Sequence, residues 1–217
     1  MTLMAIVGEL GTGKTLSLTF LAWHYYLKWQ KSRPIYANYH LNLYYLDKDR
    51  KINYIPYKYI SSPEELDQIR NGFFAGDELW IWLDSRATAT KKNRFTSMIL
   101  LKSRKRDMDV VYTTQSFGQV DKRVRTVTDF IAFPILSRNN NYCQLFIFTN
   151  HTFRFMKKLK FYAPAFFNMY NTAEEIDTET EKAQFDLNSI RKEILKATRM
   201  GIFSPKTVEF FKVKGIL

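Results

Sequence analysis

Short apolar runs alternate with longer amphipathic segments along this chain. Residues 3–7 form an apolar run typical of a buried strand, and residues 16–27 are long and apolar enough for a helix. The alternation of strand and helix predicts an α/β fold whose mostly parallel sheet is covered by helices. Five further runs have the length of strands: residues 35–39, 73–78, 109–115, 129–133 and 145–148.

The segments between these runs contain further signals. Residues 61–65 contain a serine cap, a proline at the first helical position and two glutamates, which predicts the start of a helix. That helix is expected to end near Asn71. Residues 52–57 fit a short edge strand, because Pro56 cannot donate to a central ladder. Apolar residues recur at helical spacing over residues 95–104.

The last part of the chain differs in character from the rest. Residues 172–181 are acidic, and residues 188–199 and 204–211 predict two short helices. We therefore expect a core domain of residues 1–176 and a small helical C-terminal extension of residues 177–217. The two helices resemble a helix-turn-helix in outline, so that contact with DNA and a packing or subunit-contact role both stay open.

Composition limits the class and the compartment. At 217 residues and 46% hydrophobic content, the chain can bury the core of a single domain. The single cysteine, Cys143, excludes an intramolecular disulfide and indicates a reducing compartment, and with only three histidines a structural zinc site is not expected. The longest apolar runs, residues 130–136 and 145–149, fall short of the roughly 20 residues that cross a bilayer. These features predict a soluble intracellular protein.

The charge balance indicates an anionic partner. The formal net charge is +12, from 33 basic and 21 acidic residues, which fits an anionic polymer. Basic residues cluster at 91–94, 102–106, 122–125 and 157–160. Clusters of this kind favour contacts with phosphates and binding without sequence preference. A solvated basic surface is the alternative for any one cluster.

One short motif carries the strongest chemical signal. It matches the phosphate-loop pattern G-x-x-x-x-G-K-[ST] and stands between the first predicted strand and the first predicted helix. Its residues are Gly8, Glu9, Leu10, Gly11, Thr12, Gly13, Lys14 and Thr15. Backbone amides and the helix N-terminus of such a loop cradle phosphates. The motif predicts binding of ATP with Mg²⁺, with Lys14 on the β- and γ-phosphates and the Thr15 hydroxyl on the ion.

Two places offer the acid that a phosphate loop needs. Asp77 and Glu78 end one predicted strand, whereas Asp84 follows the apolar residues 79–83. We favour the pair, in which Asp77 holds the metal through water and Glu78 is the base for an attacking water. Gly76, directly before the pair, is unusual for a strand, and Asp84 stays the alternative.

The polar end of another predicted strand adds a third element. Gln115 ends the strand at residues 109–115, which is expected to lie beside the acid-bearing strand. Its amide can there bind the γ-phosphate or the attacking water. The alternative is an ordinary strand-end amide with a structural partner.

Together these residues resemble the viral and plasmid branch of the FtsK–HerA superfamily, in particular the zonula occludens toxin-like ATPases of filamentous phages and archaeal viruses. The resemblance covers about residues 3–176, and the order of its motifs is more specific than any one of them. It rests on residues 8–15, 77–86, 103–106 with 112–115, 119–125 and 170–175. It implies a RecA-like P-loop ATPase core, assembly into a ring such as a hexamer, and movement of DNA through or along that ring.

Such rings are expected to use an arginine from a neighbouring subunit, which stabilises charge in the transition state. Arg123 and Arg125 are the first candidates because they follow the Gln115 strand, and Arg86 and Arg104 come next. For each of them a solvated basic face is the alternative.

The resemblance and the charge lead to an expected function. We expect an ATP-hydrolysing motor that translocates double-stranded DNA without sequence preference and packages a viral genome. Phage relatives carry a transmembrane segment after the ATPase core, and its absence here favours packaging over membrane extrusion. Expected partners are further copies of the chain and a capsid or portal protein, in the host cytoplasm or the virion. A nucleotide-gated assembly or DNA-export factor with little turnover, and a small-molecule kinase, are the alternatives.

Overall fold

An eight-stranded sheet organises the computed structural model, which describes residues 2–28, 32–83 and 103–171. The strands of this sheet and of a small hairpin are β1 (Leu3–Val7), β2 (Ile35–Ala37), β3 (Tyr44–Leu46), β4 (Ile52–Tyr54), β5 (Tyr57–Tyr59), β6 (Gly72–Gly76), β7 (Met108–Thr114), β8 (Phe130–Leu136), β9 (Tyr142–Thr149) and β10 (Phe155–Tyr162). The helices described are α1 (Lys14–Lys28), α2 (Pro63–Gln68), α3 (Trp80–Leu83) and α4 (Lys122–Val127).

The strand order in the sheet is β10-β9-β8-β1-β7-β6-β2-β5. The strands from β8 to β5 in this order run parallel. At one side β9 and β10 continue the sheet in antiparallel fashion, and β3 pairs with β4 in the separate hairpin. The predicted α/β fold, a mostly parallel sheet flanked by helices, is therefore confirmed.

Several sequence predictions concern residues outside the described ranges. The helical extension at 177–217 and the domain boundary after residue 176 lie outside the described ranges, as do the basic cluster 91–94 and residues 95–102 of a predicted helix. Residues 103–106 form a 3₁₀ turn. Among the helices that the structure describes, none has the length and apolarity needed to cross a membrane.

The central strand β1 is buried on both faces, because helices cover both sides of the sheet. Successive strand residues face opposite sides. Met4 and Ile6 belong to the core cluster that includes α1, whereas Leu3 and Ala5 belong to the cluster that includes residues of α2 and α4. A parallel strand buried in this way is a nearly continuous apolar run, which is why its position is visible in the sequence.

The cap of α2 confirms the predicted helix start. The side chain of Ser62 accepts a hydrogen bond from the N–H of Glu65 (3.3 Å), and Pro63 begins the first turn. The helix ends at Gln68 and not near Asn71. The reason is that Ile69, the C-cap, already has an extended backbone (φ −75°, ψ 140°).

Two strand predictions need correction. The single strand predicted at residues 52–57 is split at Pro56: β4 pairs with β3, and β5 forms the far edge of the main sheet. Strand β10 was missed and was seen only as the basic cluster 157–160. Its alternation is obscured by a register shift between Phe155 and Lys157.

Candidate functional site at the phosphate loop

The phosphate-loop motif forms the turn from β1 into α1. Gly11 (φ 75°) and Gly13 (φ 91°) adopt left-handed backbone conformations that favour glycine. The hydroxyl of Thr12 donates to the backbone oxygen of Glu9 (2.9 Å), which closes the loop on itself. Since the N–H of Ser17 already bonds to the backbone oxygen of Gly13 (2.9 Å), the loop passes directly into the helix.

Lys14 places its ammonium at the mouth of this loop. Its side chain is only 6% exposed, and Nζ donates to the backbone oxygen of Glu9 (3.1 Å). Nζ also lies 3.7 Å from Oε1 of Glu78, whose side chain is 31% exposed. An ammonium has three donors, so phosphate oxygens can replace either partner at this place.

Asp77 links the loop to the end of β6. Its Oδ2 accepts a hydrogen bond from the Thr15 hydroxyl (2.9 Å), and its Oδ1 accepts one from the Thr113 hydroxyl (2.6 Å). Loss of hydration raises the pKa of Asp77 above its ordinary value, and the two hydrogen bonds oppose that shift. The carboxylate and the Thr15 hydroxyl thus present adjacent hard oxygen atoms, the ligand type that Mg²⁺ prefers.

Glu78 occupies a tight turn directly after Asp77. Its backbone is left-handed (φ 43°), which is uncommon for a residue other than glycine and recurs at functional sites. Thr113 holds the turn, because its hydroxyl accepts from the N–H of Glu78 (2.8 Å) and its backbone oxygen accepts from the N–H of Leu79 (3.2 Å). Thr113 was missed in the sequence, where the available signal was a hydroxyl residue near the end of the predicted strand at residues 109–115.

Asn38 binds the backbone of Asp77 from the other side. Its amide nitrogen donates to the backbone oxygen of Asp77 (2.8 Å), and its amide oxygen accepts from the N–H of Asp77 (2.6 Å). Asn38 follows β2, the strand that pairs with β6. It was also missed, because the sequence prediction placed it inside a strand at residues 35–39, whereas β2 ends at Ala37.

Gln115 comes directly after β7, which pairs with the acid-bearing strand β6 as predicted. β7 also pairs with β1, where Thr114 stands opposite Val7. The N–H of Gly8 donates to the backbone oxygen of Thr114 (3.3 Å), so the loop entrance lies next to Gln115. The side chain of Gln115 is exposed at this edge.

Arg123 and Arg125 lie on α4 and contact their own segment. Two nitrogens of the Arg123 guanidinium donate to the two carboxylate oxygens of Asp121 (3.0 and 2.6 Å), which also caps the helix. This contact lowers the pKa of Asp121. Nε of Arg125 donates to the backbone oxygen of Val120 (2.9 Å). The structure therefore brings Lys14 and the rest of the phosphate loop together with Glu78. The guanidinium groups of Arg123 and Arg125 instead contact the two residues directly before α4.

The remaining candidates are not described. Asp84 and Arg86 lie outside the described residues, and nothing is described of the Arg104 side chain. Their roles stay predictions from the sequence.

The glycine before the acid pair has a packing reason. A Cβ atom on Gly76 would lie 3.1 Å from Cδ1 of Leu79 and 3.1 Å from Cε1 of Phe74. Both side chains are fully buried in the same core cluster. They fill the space that an aliphatic side chain at position 76 would occupy, so glycine is compatible with a strand that ends in the acid pair.

Comparison with known proteins gives a family and a fold. A family model described as zonular occludens toxin (Zot) matches residues 2–132. The crystal structure of the N-terminal domain of zonular occludens toxin from Neisseria meningitidis is similar, with a TM-score of 0.50 and 15% sequence identity, over 79% of this chain and 100% of that chain. At this identity the likeness is one of fold.

A second solved structure is similar at a lower score. It is the genome packaging NTPase B204 from Sulfolobus turreted icosahedral virus 2 in complex with ATP-gammaS, with a TM-score of 0.48 and 14% identity, over 72% of this chain and 96% of that chain. No match was found among curated proteins.

Proposed function

The chain belongs to the zonular occludens toxin (Zot) family, and from that premise we propose that it hydrolyses ATP to move double-stranded DNA. The observation that carries the proposal is the hydrogen bond between Thr15 and Asp77, with Lys14 and Glu78 beside it. A loop hydroxyl, a loop ammonium and an acidic turn thus meet at one edge of the sheet. Triphosphate hydrolysis uses this set of groups.

Mg²⁺ fits the oxygen atoms at this edge. It is usually bound through one or two carboxylates together with substrate phosphates, and Thr15 and Asp77 offer a hydroxyl and a carboxylate 2.9 Å apart. In the proposal the Thr15 hydroxyl holds the ion and Asp77 holds it through water. The ion, when bound, neutralises charge on the β- and γ-phosphates.

The other residues of the site have distinct proposed tasks. The backbone of residues 8–15 cradles the phosphates, and Lys14 leaves its present partners to bind the β- and γ-phosphates. Glu78 accepts the proton of the attacking water, and its turn, held by Thr113, keeps the carboxylate at the site. Gln115 orients the water or the γ-phosphate.

The site is proposed to be completed by a second copy of the chain in a ring such as a hexamer. An arginine of the neighbouring subunit stabilises the transition state, and Arg123 or Arg125 supplies it. The partial exposure of Arg123, whose side chain is 42% accessible, supports this assignment. Arginines acting in trans contribute about 10³–10⁵ in rate in other hydrolases.

The net charge of +12 supports DNA as the polymer that is moved. We place the activity in the loading of a viral genome into a capsid, in the host cytoplasm or the virion, with a capsid or portal protein as a further partner. An export or assembly factor with little turnover, or a small-molecule kinase, would share the phosphate loop but not the stimulation by DNA.

An ATPase assay with and without duplex DNA tests the proposal. We expect hydrolysis that DNA stimulates and that Lys14→Ala abolishes, whereas Lys58→Ala, on the exposed edge strand β5, leaves it unchanged. Transfer of the γ-phosphate to a small acceptor without any effect of DNA would overturn the motor. Nucleotide binding without turnover would favour the assembly factor.

A further inference from the structure

The antiparallel strands β8, β9 and β10 carry one face that turns away from α1. On β9, Cys143, Leu145 and Ile147 join the core cluster that contains α1, so the residues between them face the other side. The pairing register puts Lys158 and Phe133 opposite Phe146, and Tyr162 opposite Tyr142. We call this surface the aromatic–lysine face; its members are Phe133, Tyr142, Phe146, Lys158, Lys160 and Tyr162.

Two rings and the two ammonium groups of this face are exposed, whereas Phe133 and Phe146 are half-buried. Tyr142 is 43% exposed and Tyr162 is 52% exposed, with their ring centroids 5.8 Å apart in an edge-on arrangement. Nζ of Lys160 lies 4.3 Å from the centroid of the Tyr142 ring, and Nζ of Lys158 lies 5.8 Å from that of Phe146. Each cation is therefore close to a ring surface on which a planar group could stack.

The segment that carries the face has charges of one sign. From residue 130 to residue 171 the sequence contains no aspartate and no glutamate. The same stretch has five lysine or arginine residues: Arg138, Arg154, Lys157, Lys158 and Lys160. A surface without any carboxylate in its own segment attracts a polyanion and meets no local repulsion.

We propose that the aromatic–lysine face binds single-stranded nucleic acid; the inference rests on the proposed function only for nucleic acid as the polymer, and the exposed rings carry the preference for a single strand. Bases stack on Tyr142 and Tyr162, and phosphates bind Lys158 and Lys160. Stacking on exposed aromatic rings with lysines along the backbone is the usual way to bind a single strand without reading its sequence. A duplex keeps its bases stacked on one another, so it can use the lysines but not the rings.

The opposite face of β9 touches the phosphate loop through Cys143. A Cβ atom on Gly13 would lie 3.5 Å from Sγ of Cys143, and the Ser17 hydroxyl is 3.4 Å from that sulfur. Cys143 is the neighbour of Tyr142 on β9 and faces the opposite side. A nucleic-acid strand stacked on Tyr142 would therefore lie one residue along β9 from Cys143, which touches the phosphate loop.

Fluorescence anisotropy with a labelled oligothymidylate and with a duplex of equal length tests the inference. The wild type should bind the single strand more tightly than the duplex. The double variant Tyr142→Leu/Tyr162→Leu should lose about fivefold or more in affinity for the single strand, the effect of losing one stacked base, with a smaller loss for the duplex. Tyr59→Leu, an exposed tyrosine on the opposite edge strand β5, is the matched control and should bind as the wild type does.

Salt dependence separates the lysines from the rings. The double variant Lys158→Gln/Lys160→Gln should reduce the slope of log affinity against log salt by about 1.4, or ~0.7 for each lost phosphate contact to a single strand. The tyrosine variant should leave that slope unchanged. Lys58→Gln on β5 is the control for a lost surface lysine.

Three outcomes would overturn the inference. Equal affinity for both polymers in the wild type would remove the role of the rings, and so would tyrosine variants that bind as tightly as the control. Gel filtration in which the tyrosine variant breaks up an assembly would assign the face to contacts between copies. The proposed function fails separately if the wild type hydrolyses no ATP or if duplex DNA does not stimulate hydrolysis, because neither result enters the comparison of single-strand affinities.

Discussion

The hydroxyl of Thr15, in the first turn of α1, donates a hydrogen bond of 2.9 Å to Oδ2 of Asp77, which follows β6. The two residues meet because β1 and β6 both pair with β7 and run parallel to it, so that their C-terminal ends share one edge of the sheet. The bond ties the phosphate loop to the acidic turn. It also sets two hard oxygen atoms side by side, so a change in one alters the surroundings of the other.

Thr15→Val keeps the shape of the side chain and removes this hydroxyl. We expect the gain in ATP affinity that Mg²⁺ provides to fall roughly tenfold or more, because a lost bond to a charged group costs about 1.5–3 kcal/mol. Thr15→Ser should keep most of the gain. Calorimetric titration of a non-hydrolysable ATP analogue with and without Mg²⁺ measures the difference, and an equal loss in both conditions would indicate a damaged loop.

Glu78→Gln removes the proposed base and changes little else in size. The hydrolysis rate should fall by about 10²–10⁴, the usual contribution of a positioned base, while binding of the ATP analogue persists. Glu64→Gln, on the exposed side of α2, is the matched control and should hydrolyse ATP at the wild-type rate. Unchanged turnover in Glu78→Gln would exclude Glu78 as the base.

The central strands could be predicted from the sequence, whereas part of the sheet edge could not. Residues 3–7 and 110–112 are apolar on both faces because helices cover both sides of the sheet there. β10 has one face in the core and one in solvent, and its register shift breaks the alternation that would mark such a strand. Its lysines therefore indicated a charged segment and not a strand.

Some residues of the candidate site could likewise be predicted from the sequence, and others could not. Residues 8–15 could be predicted because the loop needs glycine for its backbone and Lys14 and Thr15 for its chemistry, all within one stretch. Thr113 and Asn38 act on the acidic turn only because β7 and β2 flank β6 in the folded sheet. No local pattern contains that strand order, so the sequence shows two polar residues but not their contact with the acidic turn.

Thr113→Val tests whether the hydroxyl positions the acidic turn. Valine keeps the branched shape but cannot bind the N–H of Glu78 or Oδ1 of Asp77. We expect kcat to fall about tenfold or more with a smaller change in KM, since the loss of a buried partner costs about 1–3 kcal/mol and misplaces the base more than the phosphate loop. Thr113→Ser should restore most of kcat. A purely structural role would instead lower the melting temperature and leave kcat of the folded fraction intact.

Gly76→Ala tests the packing at the end of β6. The added methyl group would lie 3.1 Å from Leu79 and from the Phe74 ring, inside a filled core. We expect the free energy of unfolding to fall by about 1–3 kcal/mol, the usual cost of overpacking. Denaturant unfolding measures it. Leu79→Ala should lower the free energy of unfolding less in the Gly76→Ala variant than in the wild type, because it makes room for the added methyl group. Strictly additive losses would contradict the steric explanation.

Mixing two inactive variants tests for an arginine that acts in trans. Arg123→Ala should lower hydrolysis by about 10³–10⁵ if Arg123 completes a neighbour's site. Lys14→Ala should be inactive by itself, yet it still carries Arg123. In a mixed assembly, a subunit with an intact loop can then receive Arg123 from a Lys14→Ala neighbour, so the mixture should regain part of the wild-type rate in an ATPase assay. The same mixing with Arg125→Ala decides between the two candidates.

The mixing experiment also separates catalysis from folding. Arg123 holds Asp121 at the cap of α4, so Arg123→Ala could lose activity through a weakened helix in its own chain. A neighbour cannot repair that defect, and the mixture would then stay inactive with a lowered melting temperature. Arg70→Ala, an exposed arginine after α2, controls for the loss of a surface charge and should behave as the wild type does both alone and in mixtures. Recovery in the mixture therefore requires a guanidinium that reaches across the subunit contact.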